Sequence, residues 1–136
     1  MITLRGIDHV VLRVRDMAEM TRFYRDVLGA QLVAWRPELG LTHLRAGSSM
    51  IDLLLTKSEI IQAKSSVDHL CLRVEPFDAE DIRSHLAAHG VAAGEVRERF
   101  GAEGTGPSLY LIDPEGNQVE LKGPSDGAAL PRKAST

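Results

Sequence analysis

Two histidines and two acids occupy matching places in the halves of this 136-residue chain. The run Asp8-His9-Val10-Val11-Leu12-Arg13-Val14 returns sixty positions later as Asp68-His69-Leu70-Cys71-Leu72-Arg73-Val74, with five of the seven positions identical and the other two exchanging one apolar residue for another. Side chains alternate between the faces of a strand, so His9, Val11 and Arg13 share one face, and His69, Cys71 and Arg73 share the equivalent face of the second copy. Each half later carries an acid among aliphatic residues, Ile51-Asp52-Leu53-Leu54 in the first and Val119-Glu120-Leu121 in the second. A buried carboxylate without a partner is costly, so each acid calls for one. If both face the histidines, the set His9, Asp52, His69 and Glu120 suits a divalent first-row ion with water in the remaining positions. Arg13 and Arg73 share the histidine faces, where a guanidinium can anchor a substrate carboxylate or phosphate.

The elements that must hold these residues follow one plan twice. After the first strand, Asp16 and Glu19 form a capping box, and Met17, Met20, Phe23, Tyr24, Val27 and Leu28 recur at helical spacing until Gly29. Extended runs are expected at about 31–36, 41–46 and 50–56, separated by Pro37-Glu38-Leu39-Gly40 and Gly47-Ser48-Ser49. The second half repeats the order: Asp78 caps a helix carrying Ile82 and Leu86, Gly90 stops it, and strands are expected near 92–98, 107–112 and 117–122. The turn Asp113-Pro114-Glu115-Gly116-Asn117 joins the last two. The chain therefore reads as one α+β domain over 1–123, with βαβββ modules at about 5–56 and 67–123, a linker at 57–66 and a flexible tail at 124–136.

Composition narrows the partners. A net charge of −3 with no cluster of Lys and Arg beside stacking aromatics argues against nucleic acid, and a small molecule is the expected ligand. No stretch approaches the ~20 apolar residues of a membrane span. The single cysteine, Cys71, excludes an intrachain disulfide and agrees with a reducing compartment, so the protein is expected in the cytoplasm.

These residues, in this order and on a doubled βαβββ plan, resemble the vicinal oxygen chelate superfamily, which includes glyoxalase I, extradiol dioxygenases, methylmalonyl-CoA epimerase and fosfomycin-resistance proteins. The resemblance covers about residues 5–123, and the run from Arg99 to Asn117 looks most like small glyoxalase-type proteins described as virulence-associated or dioxygenase-related. It implies modules that curl into half-barrels, a divalent metal (Ni, Co, Mn, Zn or Fe(II)) held by His9, His69 and Glu120, and a homodimer. At Asp52 the chain departs from the Glu, Gln or His usual in glyoxalase I relatives. Asp is one methylene shorter, so it ligates directly, acts through a water, or orients a ligand from behind. The preferred activity implied is a glyoxalase I-like lyase or isomerase acting on an α-hydroxycarbonyl or thiol adduct through an enediolate, with Glu120 and then Asp52 as the base. An Fe(II) extradiol-type dioxygenase using His9, His69 and Glu120 is the alternative enzyme. A metal-free antibiotic-binding protein is the alternative outside enzymes.

Other groups read more plainly. His85 and His89 stand one turn apart but lack the glutamate of H-E-x-x-H, and belong to a solvated helix face. His43 lies mid-strand, where it is either an ordinary histidine or a proton carrier. Cys71 is expected as a small buried thiol, the segment with Gly101, Gly104 and Gly106 as a mobile lid, and Trp35, Tyr24 and Tyr110 as packing residues, with Tyr110 also able to look inward.

Overall fold

The computed structural model describes Met1, residues 6–56 and residues 67–125, and divides into two compact units, Met1–Ala63 and Lys64–Thr136. The linker expected at 57–66 and most of the expected tail lie outside the described residues.

In the first unit β1 (His9–Val14) leads into α1 (Met17–Arg22), followed by β2 (Gln31–Arg36), β3 (Leu41–Ala46) and β4 (Ser49–Leu55). The strands are ordered β1-β4-β3-β2, with β1 parallel to β4 and the remaining pairs antiparallel. Asp16 caps α1 by accepting from the backbone N–H of Glu19 at 2.9 Å, as the capping box requires. The expected single helix instead changes to a π-helical turn at Phe23–Val27, closed by the Leu28 N–H on the Phe23 carbonyl at 3.1 Å. Gly29 ends it with φ +84°, where the Ala30 N–H reaches back to the Tyr24 carbonyl at 2.8 Å. Met20, Phe23, Tyr24 and Val27 are buried, as are Val14, Leu44, Ile51 and Leu53 on alternate positions of the strands. That alternation leaves His9, Val11 and Arg13 on the other, open face.

The second unit repeats this order with β5 (Leu70–Arg73), α2 (Ala79–Ala88), β6 (Arg97–Gly101), β7 (Gly104–Ile112) and β8 (Gln118–Lys122), arranged β5-β8-β7-β6. Its core is Leu86 of α2 with Leu109, Leu111, Val119 and Leu121. Asp113 organises the β7–β8 turn, its carboxylate accepting from the backbone N–H groups of Glu115 and Asn117 at 2.9 and 2.8 Å. The molecule is thus α+β, with two four-stranded mixed sheets and two tandem βαβββ modules.

Two expectations need correcting. The glycine-rich segment is a hairpin, not a lid: Gly101 pairs with Gly104 across the two-residue turn Ala102-Glu103, and β7 begins there rather than at 107. Gly104 supplies a positive φ of +113°, whereas Gly101 and Gly106 answer to space. A Cβ on Gly106 would lie 2.5 Å from the Pro124 carbonyl oxygen, and one on Gly101 would lie 2.9 Å from Lys122 Cε. Trp35, expected to pack, is 48% exposed on the edge strand β2, whereas Tyr24 is fully buried. Because a backbone carbonyl cannot move aside cheaply, Gly106→Ala is expected to lower unfolding free energy by about 1–3 kcal/mol in denaturant titrations.

Candidate functional site

Strand register decides which side chains meet. In the first unit Val11 pairs with Asp52 across β1 and β4, and His43 pairs with Asp52 across β3 and β4, so His9, His43, Asp52 and Arg13 share one sheet face. His43 Nδ1 lies 2.8 Å from Asp52 Oδ1. Asp52 is only 7% exposed, and this contact gives its carboxylate the partner that burial demands. His9 is half exposed, with its Nδ1 2.7 Å from the carboxylate of Asp8. That hydrogen bond, assisted by the charge of Asp52, raises the His9 pKa above its ordinary value against the opposing effect of desolvation.

The second unit places the equivalent residues differently. Cys71 and Tyr110 flank Glu120 on the neighbouring strands β5 and β7, on the face that also carries His69. His69 Nδ1 is 2.7 Å from Asp68, repeating the Asp8–His9 contact, and its Nε2 is 3.2 Å from Glu120 Oε2. A neutral imidazole donates through one nitrogen only. With that proton on the Asp68 side, Nε2 and the nearly buried Glu120 carboxylate stand 3.2 Å apart with no proton between them, a pairing that a cation would satisfy. The donor chemistry therefore fits a metal ion. Tyr110 stands edge-on to the His69 ring at 5.3 Å, and the Arg99 guanidinium lies 4.6 Å over the Tyr110 ring. Burial, then the Glu120 charge, raises the phenol pKa, while Arg99 opposes the shift.

Of the expected residues only His69 and Glu120 meet; His9 and Asp52 share a face but contact Asp8 and His43, and among the described residues no group of three His, Cys, Asp or Glu forms a ready cage. Arg13 has no ion-pair partner among the described residues. Arg73 is engaged instead by both oxygens of Glu103, at 2.8 and 3.1 Å. His85 and His89 lie exposed on α2, as expected. Sequence reasoning undervalued Tyr110 and missed Arg99 and Glu103. Aligning the repeats on their acids does not match Tyr110 to His43, because Tyr110 precedes Glu120 by ten residues and His43 precedes Asp52 by nine; only strand register shows them as the equivalent β7 and β3 partners.

A model of the glyoxalase/bleomycin resistance protein/dioxygenase superfamily matches residues 6–121. The chain belongs to this superfamily. Virulence protein STM3117 of Salmonella typhimurium is 32% identical over 121 residues, covering 85% of this chain and 81% of that protein. Its crystal structure superposes with a TM-score of 0.74 at 30% identity, over 91% of this chain and all of that one. The glyoxalase domain-containing protein RDO1 of Mycosarcoma maydis is 33% identical over 92% of this chain and 72% of its own length. Metallothiol transferase FosB of Staphylococcus haemolyticus is 28% identical over 87% and 83%. The relatives thus include a glyoxalase-domain protein and a metallothiol transferase, and among the described residues of this member no helix is long and apolar enough to cross a membrane.

Cys71 departs from expectation, being exposed on the Glu120 face. Desolvation, followed by the charge of Glu120 and a hydrogen bond to it, pushes the thiol up to about 11 from an ordinary 9.0. Only the thiolate alkylates, so in chelator-treated, metal-free protein iodoacetamide at pH 8 should modify Cys71 about 100-fold more slowly than an unperturbed thiol, with the rate still rising above pH 10. A plateau near pH 9 would contradict this environment.

Proposed function

We propose that this protein is a metal-dependent enzyme in which His9, His69 and Glu120 hold a divalent ion and the His43–Asp52 pair moves a proton on a small substrate bearing neighbouring oxygens. One observation carries the reading. Each repeat commits its histidine Nδ1 to the preceding aspartate at 2.7 Å, which leaves Nε2 as the donor in both. An ion held there would supply Lewis acidity toward the substrate oxygens. Asp52, engaged by His43, serves better as the group that fixes an imidazole than as a fourth ligand, and a carboxylate-held imidazole suits proton transfer between adjacent carbons. Arg13, on the same face, is the candidate anchor for an anionic substrate group. This makes a glyoxalase I-like lyase or isomerase the preferred activity, in a cytoplasmic homodimer. The withdrawal of Asp52 from the ligand set also favours a second reading, the three-donor extradiol dioxygenase.

Untagged protein purified without chelator is expected to carry stoichiometric metal. Absence of metal, with no activity on adding Ni, Co, Mn, Zn or Fe(II), would sink both enzyme readings and leave a metal-free binder. Lactoylglutathione formation from methylglyoxal and glutathione without oxygen uptake supports the lyase, and catechol-dependent oxygen uptake supports the dioxygenase. Asp68→Asn should weaken metal affinity about 10–100-fold. Asp52→Asn should keep the metal and slow turnover about 100-fold or more. Metal loss in the Asp52 variant would instead make that residue a ligand.

A further inference from the structure

The tip of the β6–β7 hairpin lays a carboxylate on the cationic end of the second sheet. Arg73 on β5 and Lys122 on β8 are register partners, on the face that also carries His69 and Glu120. Arg73 donates Nε and Nη2 to the two oxygens of Glu103, Nη1 to the Val74 carbonyl at 2.7 Å, and Nη2 also to Glu75 at 3.4 Å. Lys122 is 5% exposed, yet its hydrogen bond is a long one, Nζ to the Gly123 carbonyl at 3.4 Å, and among the described residues no carboxylate pairs with it. Its charge nevertheless acts on Glu103, whose carboxyl is held below the usual range first by the Arg73 hydrogen bond and then by the charges of Arg73 and Lys122. Gly101 lies directly over the Lys122 stem, so the hairpin itself roofs the lysine.

A buried ammonium with one distant carbonyl is under-satisfied, and a planar carboxylate is what a two-pronged guanidinium recognises. The Glu103 side chain is 54% exposed on a two-residue turn, so releasing it to water is cheap. We propose that Arg73 and Lys122 form a seat for the carboxylate of a small-molecule ligand, and that Glu103 occupies the Arg73 side of this seat as an internal stand-in that the ligand displaces. Arg73 follows His69 by four residues, roughly 13 Å along an extended strand. The ligand is therefore an acid whose carboxylate is set well apart from the group presented to His69. Identifying that ligand as the substrate rests on the function proposed above; the seat itself does not.

Acetate titrations of the full chain, followed through the Arg73 Nε–H resonance, test the seat without any turnover assay or metal. In Glu103→Ala the shift should saturate, with apparent affinity at least about fivefold tighter than in the unsubstituted protein, because an internal competitor whose effective concentration is at least about four times its own dissociation constant has been removed. Glu103→Gln, which preserves the turn, should show the same ordering. Adding Lys122→Met to either variant should weaken acetate about tenfold, the loss of one charge-assisted contact. Equal acetate affinity with and without Glu103, or no dependence on Lys122, overturns the seat. Inorganic phosphate binding more tightly than acetate overturns its assignment to carboxylates.

Discussion

A carboxylate removed from water on the open face of a sheet has to be met by a donor, and the strand beside it is the nearest source. Asp52 and Glu120 occupy the same place in the two repeats, each on the inner strand that runs parallel to the histidine-bearing strand and antiparallel to its other neighbour. The same demand is met from opposite sides. His43 answers Asp52 from the antiparallel neighbour, whereas Glu120 takes its donor, the Cys71 thiol, from the parallel side, faces the His69 ring there, and has a tyrosine at the His43 position. Register thus makes the halves alike in backbone and unlike in chemistry.

Much of this was legible in the residues because two signals were strong. Period-two alternation sorted His9, Val11 and Arg13 from Val10, Leu12 and Val14, and the turn residues around Pro37 and Gly47 bounded β2, β3 and β4 to within a residue. The helix caps at Asp16 and Asp78 were equally plain, since short acceptor side chains three residues before a free N–H have few other uses. The pairing of Asp52 with His43 was not legible, because nothing local states which residue of β3 lies opposite which residue of β4.

The hairpin at Gly101 to Gly104 was misread for a related reason. Glycine in a sequence signals freedom of the backbone, but here it records the volume of something else, the Lys122 stem and the Pro124 carbonyl. Trp35 shows the converse error: a large aromatic on a strand was assigned to packing, yet β2 is an edge on which every residue but Ala34 is exposed. Both misreadings concern which neighbour a strand has, which only the assembled sheet decides.

The strand order carries a consequence for how each unit comes into being. In both repeats the strand made last, β4 or β8, is inserted between the first and the third, so the middle of the sheet is the final part to leave the ribosome. Until it arrives, the first strand has no partner and the histidine it carries has only the aspartate that precedes it, not the acid of the last strand. Neither repeat can therefore grow its sheet outward from an early hairpin alone; closure waits on a contact spanning the whole repeat, which makes assembly of each site all-or-none.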